Sequence, residues 1–256
     1  MKFGVCADFS SAAVLAKAGF EFIELHVQNH LKPSEPETAF LPVLEQIKAC
    51  PVRGEAANCF LPAALKVTGP DANLDKLEAY VRVAFERAKR AGIQTIVFGS
   101  GGARHIPDGV DRGAAWKQLL EFGKMIGPLA QKQGVTVAVE PLNRKECNVL
   151  NSVGEGARYV REVNHHSVRL LADAFHWGLD SDSIEDLVAA GPLLRHVHVA
   201  TFPAREAPGF ETCDLASFFR ALKKGGYDGR ESIECGWKDL PAQAAKAMDA
   251  LRVLTA

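Results

Sequence analysis

Acidic and histidine residues recur through the second half of the sequence in a pattern suited to binding a metal ion. Glu140 follows the apolar run VTVAV, Asp173 ends VRLLAD, His198 lies in HVHVA and Glu234 lies in ESIEC. The intervals between them are 33, 25 and 36 residues, each about one strand–helix repeat. Three carboxylates brought together would raise one another's pKa and repel, and a divalent cation relieves that repulsion.

The elements that must position these residues are visible as an alternation of short β-rich runs and longer segments of helical period, repeated about eight times. Several runs are apolar on both faces, which is typical of parallel strands covered by helices. The sequence therefore predicts an α/β fold, a (β/α)8 TIM barrel, forming a single domain over residues 1–256. The predicted strands are 2–6, 22–27, 52–57, 95–99, 136–140, 168–173, 196–200 and 231–234.

In such barrels the active site lies at the carboxyl ends of the strands, so the four side chains are expected to meet at one rim. Three oxygen ligands and one imidazole suit one divalent ion, Mn²⁺ first and Mg²⁺, Co²⁺ or Zn²⁺ as alternatives. Each residue also has an ordinary interpretation. Glu140 fits an exposed loop edge, Asp173 a helix N-cap, His198 a core histidine, and Glu234 an ion pair with a nearby arginine.

Composition excludes several other classes of function. The chain is 47% apolar, and its 30 basic and 31 acidic residues leave a net charge of −1, so we expect no nucleic-acid or membrane partner. The six cysteines form no CxxC pair, and no apolar stretch reaches the roughly 18 residues of a membrane span. These observations favour a cytoplasmic location.

Four of these segments also carry a family resemblance: VEPLNR, DAFH, HVHVA and SIECG. The segments GFEFIELHV, NCFLPAALKVTGP and VFGSGGARHIPDG extend this resemblance over most of the chain. The chain resembles the xylose isomerase-like barrel superfamily, in particular its sugar phosphate isomerase/epimerase branch, which includes ketose 3-epimerases and hydroxypyruvate isomerases. The resemblance implies a metal-dependent sugar isomerase or epimerase. Glu140 and Glu234 would transfer a proton through an enediolate, and Asp173 and His198 would only bind the metal.

The same resemblance implies substrate-binding roles for His176, Glu146 and Arg205. Arg205 lies seven residues after His198, where the ketose epimerases have an interval of six. His196 is expected to point away from the barrel interior, towards the helices.

Other functions remain open at this level. A lyase or dehydratase acting on an inosose or 3-keto-glycoside would use the same metal and glutamates for its first step. An endonuclease IV-like enzyme is less favoured, because its extra histidines are missing where strand three ends, at Glu55–Asn58, and where strand four runs into Gly99-Ser100-Gly101. A sugar-binding barrel without activity is the third alternative. The sequence leaves the sugar, its phosphorylation, the native metal and homo-oligomerisation undecided.

Overall fold

The computed structural model describes all 256 residues, and its eight parallel strands close into a barrel. Each strand pairs with its neighbours in chain order, and the last strand pairs with the first. The strands are β1 (Lys2–Cys6), β2 (Phe22–His26), β3 (Arg53–Asn58), β4 (Thr95–Phe98), β5 (Thr136–Val139), β6 (Val168–Asp173), β7 (Leu194–Val199) and β8 (Arg230–Ile233).

Helices connect the strands and cover the outside of the barrel. They are α1 (Ala12–Ala18), α2 (Glu37–Ala49), α3 (Leu74–Ala91), α4 (Gly101–Arg104), α5 (Arg112–Gln133), α6 (Val153–Val163), α7 (Ala174–Leu179), α8 (Ile184–Ala190), α9 (Leu215–Lys224) and α10 (Leu240–Thr255). Short 3₁₀ turns occupy Phe9–Ser11 and Gly191–Leu193, and a π-helical turn, Val27–Leu31, follows β2. None of these helices is both long and apolar enough to cross a lipid bilayer.

Two hydrophobic clusters form the core. The larger one contains 65 buried residues, and the smaller one consists of Val97, Ala138 and Leu171. Ala138 and Leu171 each precede a predicted site residue by two positions, and residues two apart in a strand point to the same side. The small cluster therefore fills the barrel interior directly beneath the rim on the β4–β6 side.

The structure confirms the (β/α)8 barrel, and the observed strand limits differ from the predicted ones by at most two residues. Gly19, Gly92 and Gly134 end α1, α3 and α5 in the left-handed conformation that glycine adopts without strain.

Candidate metal and active site

The carboxyl ends of β5 to β8 bring the four predicted residues together. Glu140 and Glu234 directly follow β5 and β8, Asp173 ends β6, and His198 lies near the end of β7. One oxygen or nitrogen atom from each lies within 4.8 Å of the others. Nδ1 of His198 lies 3.2 Å from Oε1 of Glu140, 3.7 Å from Oε2 of Glu234 and 4.0 Å from Oδ2 of Asp173.

Asp173 shows most directly that the cluster fits a cation. Its Oδ1 accepts the backbone N–H of Phe175 at 2.6 Å and caps the start of α7. Its Oδ2 is buried and has no hydrogen-bond partner, although it faces the other three residues. An unpartnered buried carboxylate oxygen is costly unless a positive charge lies next to it. Asp173 can therefore serve as a helix cap and a metal ligand at once, and the donor set of three carboxylates and an imidazole suits a divalent ion.

The surroundings of the two glutamates shift their pKa values in opposite directions. Burial alone would lower the pKa of His198, but the carboxylates of Glu24 and Glu234 raise that pKa well above its usual value. Burial raises the pKa of Glu234, and the carboxylates of Glu140 and Asp173 raise it further. Burial also opposes ionisation of Glu140, but the hydrogen bond and charge of His198 lower the pKa of this carboxyl overall. Without a metal, the proton on His198 supplies the positive charge that a bound cation would replace.

A second group of polar residues lies in the barrel interior behind His198. Oε1 of Glu24 lies 2.9 Å from Nε2 of His198, and Oε2 of Glu24 lies 2.7 Å from Nε2 of His196 and accepts a hydrogen bond from Oγ of Ser232 at 2.6 Å. All four residues are at most 1% exposed. Because Glu24 accepts a hydrogen bond from Nε2–H of His198, neutral His198 presents its Nδ1 lone pair to the rim carboxylates.

His196 corrects one prediction. We expected its side chain to face the helices, whereas it points into the barrel, where its ring lies 5.2 Å from that of His198. The prediction treated His196 and His198 as lying on opposite faces of β7. Residues separated by two positions share a face of a strand, so both rings point inward.

The three predicted substrate-binding residues lie together at the rim. Nδ2 of Asn143 donates to Oε1 of Glu146 at 2.9 Å and to Nδ1 of His176 at 2.8 Å. His176 therefore carries its proton on Nε2, which lies 4.0 Å from Oε1 of Glu140. Arg205 donates to Oε2 of Glu234 at 2.5 Å, and its other terminal nitrogen lies 3.4 Å from Oε1 of Glu146. The extra residue before Arg205 thus does not remove its side chain from the site.

Two further residues hold the glutamates in place. Arg104 is fully buried and donates to the carbonyl oxygens of Phe98 at 3.0 Å and Glu140 at 2.7 Å, which ties the end of β4 to the end of β5. Nδ2 of Asn58, at the end of β3, donates to Oε1 of Glu234 at 2.9 Å. Both glutamates are therefore fixed from outside the cluster of four residues.

A cavity of about 290 Å³ opens above these residues. Glu140, Glu146, His176, Arg205 and Glu234 line one side of it, and residues 58, 59, 61, 63 and 99–102 contribute to the other. A larger cavity, of about 430 Å³, lies near both chain ends at the opposite end of the barrel and is lined by none of the clustered acids or histidines. The chemistry of the side chains, rather than cavity size, therefore locates the site.

Sequence reasoning missed four of these residues: Glu24, Asn58, Arg104 and Asn143. Asn143 carried a usable signal, since it lies within VEPLNR only three residues after Glu140. Glu24 also carried a signal, since it lies inside the apolar strand FIELH, where a lone acid is unusual for a buried run. Asn58 and Arg104 are polar residues near the carboxyl ends of β3 and β4, and their partners are apparent only in three dimensions.

Comparison with known proteins gives one family. The model of the xylose isomerase-like TIM barrel family matches residues 12–255. D-psicose 3-epimerase of Agrobacterium fabrum is 29% identical over 233 residues, which cover 86% of this chain and 76% of that protein. 3-Dehydro-D-guloside 4-epimerase of Escherichia coli is 29% identical over 114 residues, covering 44% of this chain and 43% of that protein.

A solved structure shows the same fold over the whole chain. The structure of D-psicose 3-epimerase with D-tagatose from Clostridium cellulolyticum superimposes with a TM-score of 0.86. The superposition covers 100% of this chain and 99% of that one, at 22% sequence identity.

Proposed function

The chain belongs to the xylose isomerase-like TIM barrel family, and on this basis we propose that it is a divalent-metal-dependent sugar isomerase or epimerase. Its substrate would be a ketose or a related hydroxy-carbonyl sugar, as the names of its relatives suggest. The observation that carries the proposal is the buried, unpartnered Oδ2 of Asp173, which faces two glutamates and a histidine at the open end of the barrel.

Glu140, Asp173, His198 and Glu234 would hold the ion, and Mn²⁺ is the metal that we propose for this set of donors. When bound, the ion would polarise the sugar carbonyl and acidify the adjacent C–H bond. The ends of β3 and β4 present Asn58 and Gly99 to the same cavity instead of further metal ligands, which supports a single ion.

Glu140 and Glu234 would exchange the proton with the sugar. Both carboxylates line the cavity proposed for the sugar, which supports their role in proton exchange. Removal of a proton from the carbon beside the carbonyl gives an enediolate. Return of a proton to the opposite face of the same carbon gives an epimer, and return to the neighbouring carbon gives an isomer.

His176, Glu146 and Arg205 would orient the sugar. Nε2–H of His176 points towards the cluster and offers a donor to a sugar oxygen. Arg205 offers guanidinium donors, and Glu146 offers a carboxylate acceptor. Because Asn143 bonds to both Glu146 and His176, these groups are held in place before the sugar arrives.

Solvent exchange tests this proposal. With Mn²⁺ and D-psicose in D₂O, we expect one deuterium to enter at the carbon next to the carbonyl, and EDTA to stop this reversibly. Glu140→Gln and Glu234→Gln should each lower the exchange rate by about a thousandfold or more, because each removes a group that accepts or donates the proton. Glu231→Gln, three residues before Glu234 and within β8, is the matched control and should retain activity.

The products distinguish the outcomes. Exchange at the wild-type rate in either Gln variant at position 140 or 234 would contradict the two-glutamate scheme. Loss of water from D-psicose would instead identify a dehydratase that shares the proton-abstraction step.

A further inference from the structure

A second cavity lies beside the first, on the β1–β2 side of the rim. Its volume is about 270 Å³, and the two cavities share Asn58 and Cys59 as lining residues. The rest of its wall comes from the ends of β1 and β2 and from the π-helical turn: Cys6, Ala7, Asp8, Glu24, His26, Asn29 and His30. Because Asn58 also donates to Oε1 of Glu234, the shared wall lies next to a proposed proton-transfer group.

The wall of this second cavity is ordered by its own hydrogen bonds. Nε2 of His30 lies 3.0 Å from Oδ2 of Asp8, and Nδ1 of His30 accepts the backbone N–H of His26 at 2.9 Å. His30 is 6% exposed, whereas the Asp8 side chain is 54% exposed, so only the histidine end of this link between β1 and the π-helical turn is shielded from water. At the end of β1, Cys6 and Ala7 have small side chains that leave the space open.

The polar groups of the second cavity select an uncharged, hydroxyl-rich ligand. Nδ1 of His26 accepts the backbone N–H of Asn29 at 3.3 Å, which places the proton on Nε2, where no protein group accepts it. Burial lowers the pKa of His26, and neighbouring His30 lowers it further, so this ring is a neutral donor. The Asn29 amide has no partner within the protein, and Asp8 supplies a carboxylate acceptor. No lysine or arginine lines the cavity, which argues against a phosphate.

On the basis of the proposed function, we propose that the second cavity binds a second sugar unit, attached to the ring that reacts in the first cavity. Each cavity has a volume near the lower end of the range for small-molecule sites, about 300 Å³, so each suits one ring. The substrate class would then be glycosides or oligosaccharides that carry a keto-sugar unit, rather than free ketoses alone.

Two probes that differ by one ring test this inference: D-psicose, and sucrose oxidised to a ketone at C3 of its glucose ring. Ala7→Tyr should fill the second cavity and lower kcat/KM for deuterium exchange into the oxidised sucrose at least tenfold, while exchange into D-psicose stays within about twofold. Asn29→Ala should raise KM for the oxidised sucrose several-fold with kcat unchanged. Ala63→Tyr, in the first cavity, is the matched control and should impair both probes.

If Ala7→Tyr changes kcat/KM equally for both probes, or changes it for neither, the proposal of a second subsite is wrong. If the wild type exchanges deuterium into neither probe, the proposed function fails, and calorimetric binding of the oxidised sucrose decides the subsite separately. Binding at least tenfold weaker to Ala7→Tyr would then support the subsite, and equal affinity would overturn it.

Discussion

At the scale of single residues, His198 connects two polar groups that would otherwise be independent. Its Nδ1 faces the carboxylates of the rim, and its Nε2 faces Glu24 in the barrel interior. A carboxylate that accepts a hydrogen bond from a metal-binding histidine fixes the ring and raises its basicity as a ligand. Glu24 is thus expected to act on the metal through His198, without contacting the metal.

Replacing Glu24 tests this role without relying on turnover. Glu24→Gln keeps the size of the side chain but removes the charge, so we expect the Kd for Mn²⁺ to rise about 10- to 100-fold at pH 7. Isothermal titration calorimetry of the metal-free protein measures this change directly.

Glu231→Gln is the matched control, since Glu231 is also a buried glutamate of the barrel but adjoins Ser232 on the opposite face of β8. Its Kd for Mn²⁺ should equal that of the wild type. Equal Mn²⁺ affinity in Glu24→Gln and wild type would remove Glu24 from the account of metal binding.

At the scale of elements, the ends of β4 and β5 approach too closely for any side chain at position 99. A Cβ atom on Gly99 would collide with Oε2 of Glu140. Arg104 maintains this approach through its hydrogen bonds to both strand ends. The backbone of β4 therefore sets where the Glu140 carboxylate can lie.

Gly99→Ala should consequently displace Glu140 more than it disturbs the fold. We expect metal affinity to fall at least about tenfold, because a shift on the order of 1 Å in a ligand of this kind is enough to lose function. The melting temperature should change by only a few degrees. Calorimetry and thermal unfolding of the same variant measure the two effects.

Gly236→Ala is a suitable control near the site, because an added Cβ would meet only the carbonyl oxygen of Arg205, at 3.8 Å. It should bind Mn²⁺ normally. A Gly99→Ala variant with unchanged Mn²⁺ affinity would show that the β4–β5 approach does not position Glu140.

Element order and rim residues could be predicted from sequence because each depends on a short local pattern. An apolar run that ends in Glu140 or Asp173 marks both the strand and its functional end. The layer beneath the rim could not be predicted in the same way. Whether Glu24 contacts His196 depends on the register between strands β2 and β7, which lie far apart in sequence and are not neighbours in the barrel.

At the scale of the whole molecule, one buried acid has no role in the site. Glu231 is fully buried, and neither of its carboxylate oxygens has a hydrogen-bond partner. Burial raises the pKa of Glu231 from 4.5 to about 8. The folded protein thus binds more protons than the unfolded chain between these two values, so its stability falls as the pH rises through this window.

Glu231→Gln should remove this pH dependence, since an amide of the same shape carries no charge at any pH. We expect the free energy of unfolding of the variant to exceed that of the wild type by roughly 2–4 kcal/mol near pH 8.5. Near pH 5 the two free energies of unfolding should be nearly equal. Urea unfolding at both pH values measures the difference. A constant gap between variant and wild type would show that Glu231 does not titrate in this range.

The most direct test of the account is a crystal structure of the protein with Mn²⁺, with data collected at the manganese absorption edge. We predict a single anomalous peak within bonding distance of Glu140, Asp173, His198 and Glu234, and Oδ2 of Asp173 among its ligands. Absence of a peak at saturating Mn²⁺, or a peak bound instead by Glu24 and His196, would contradict the account.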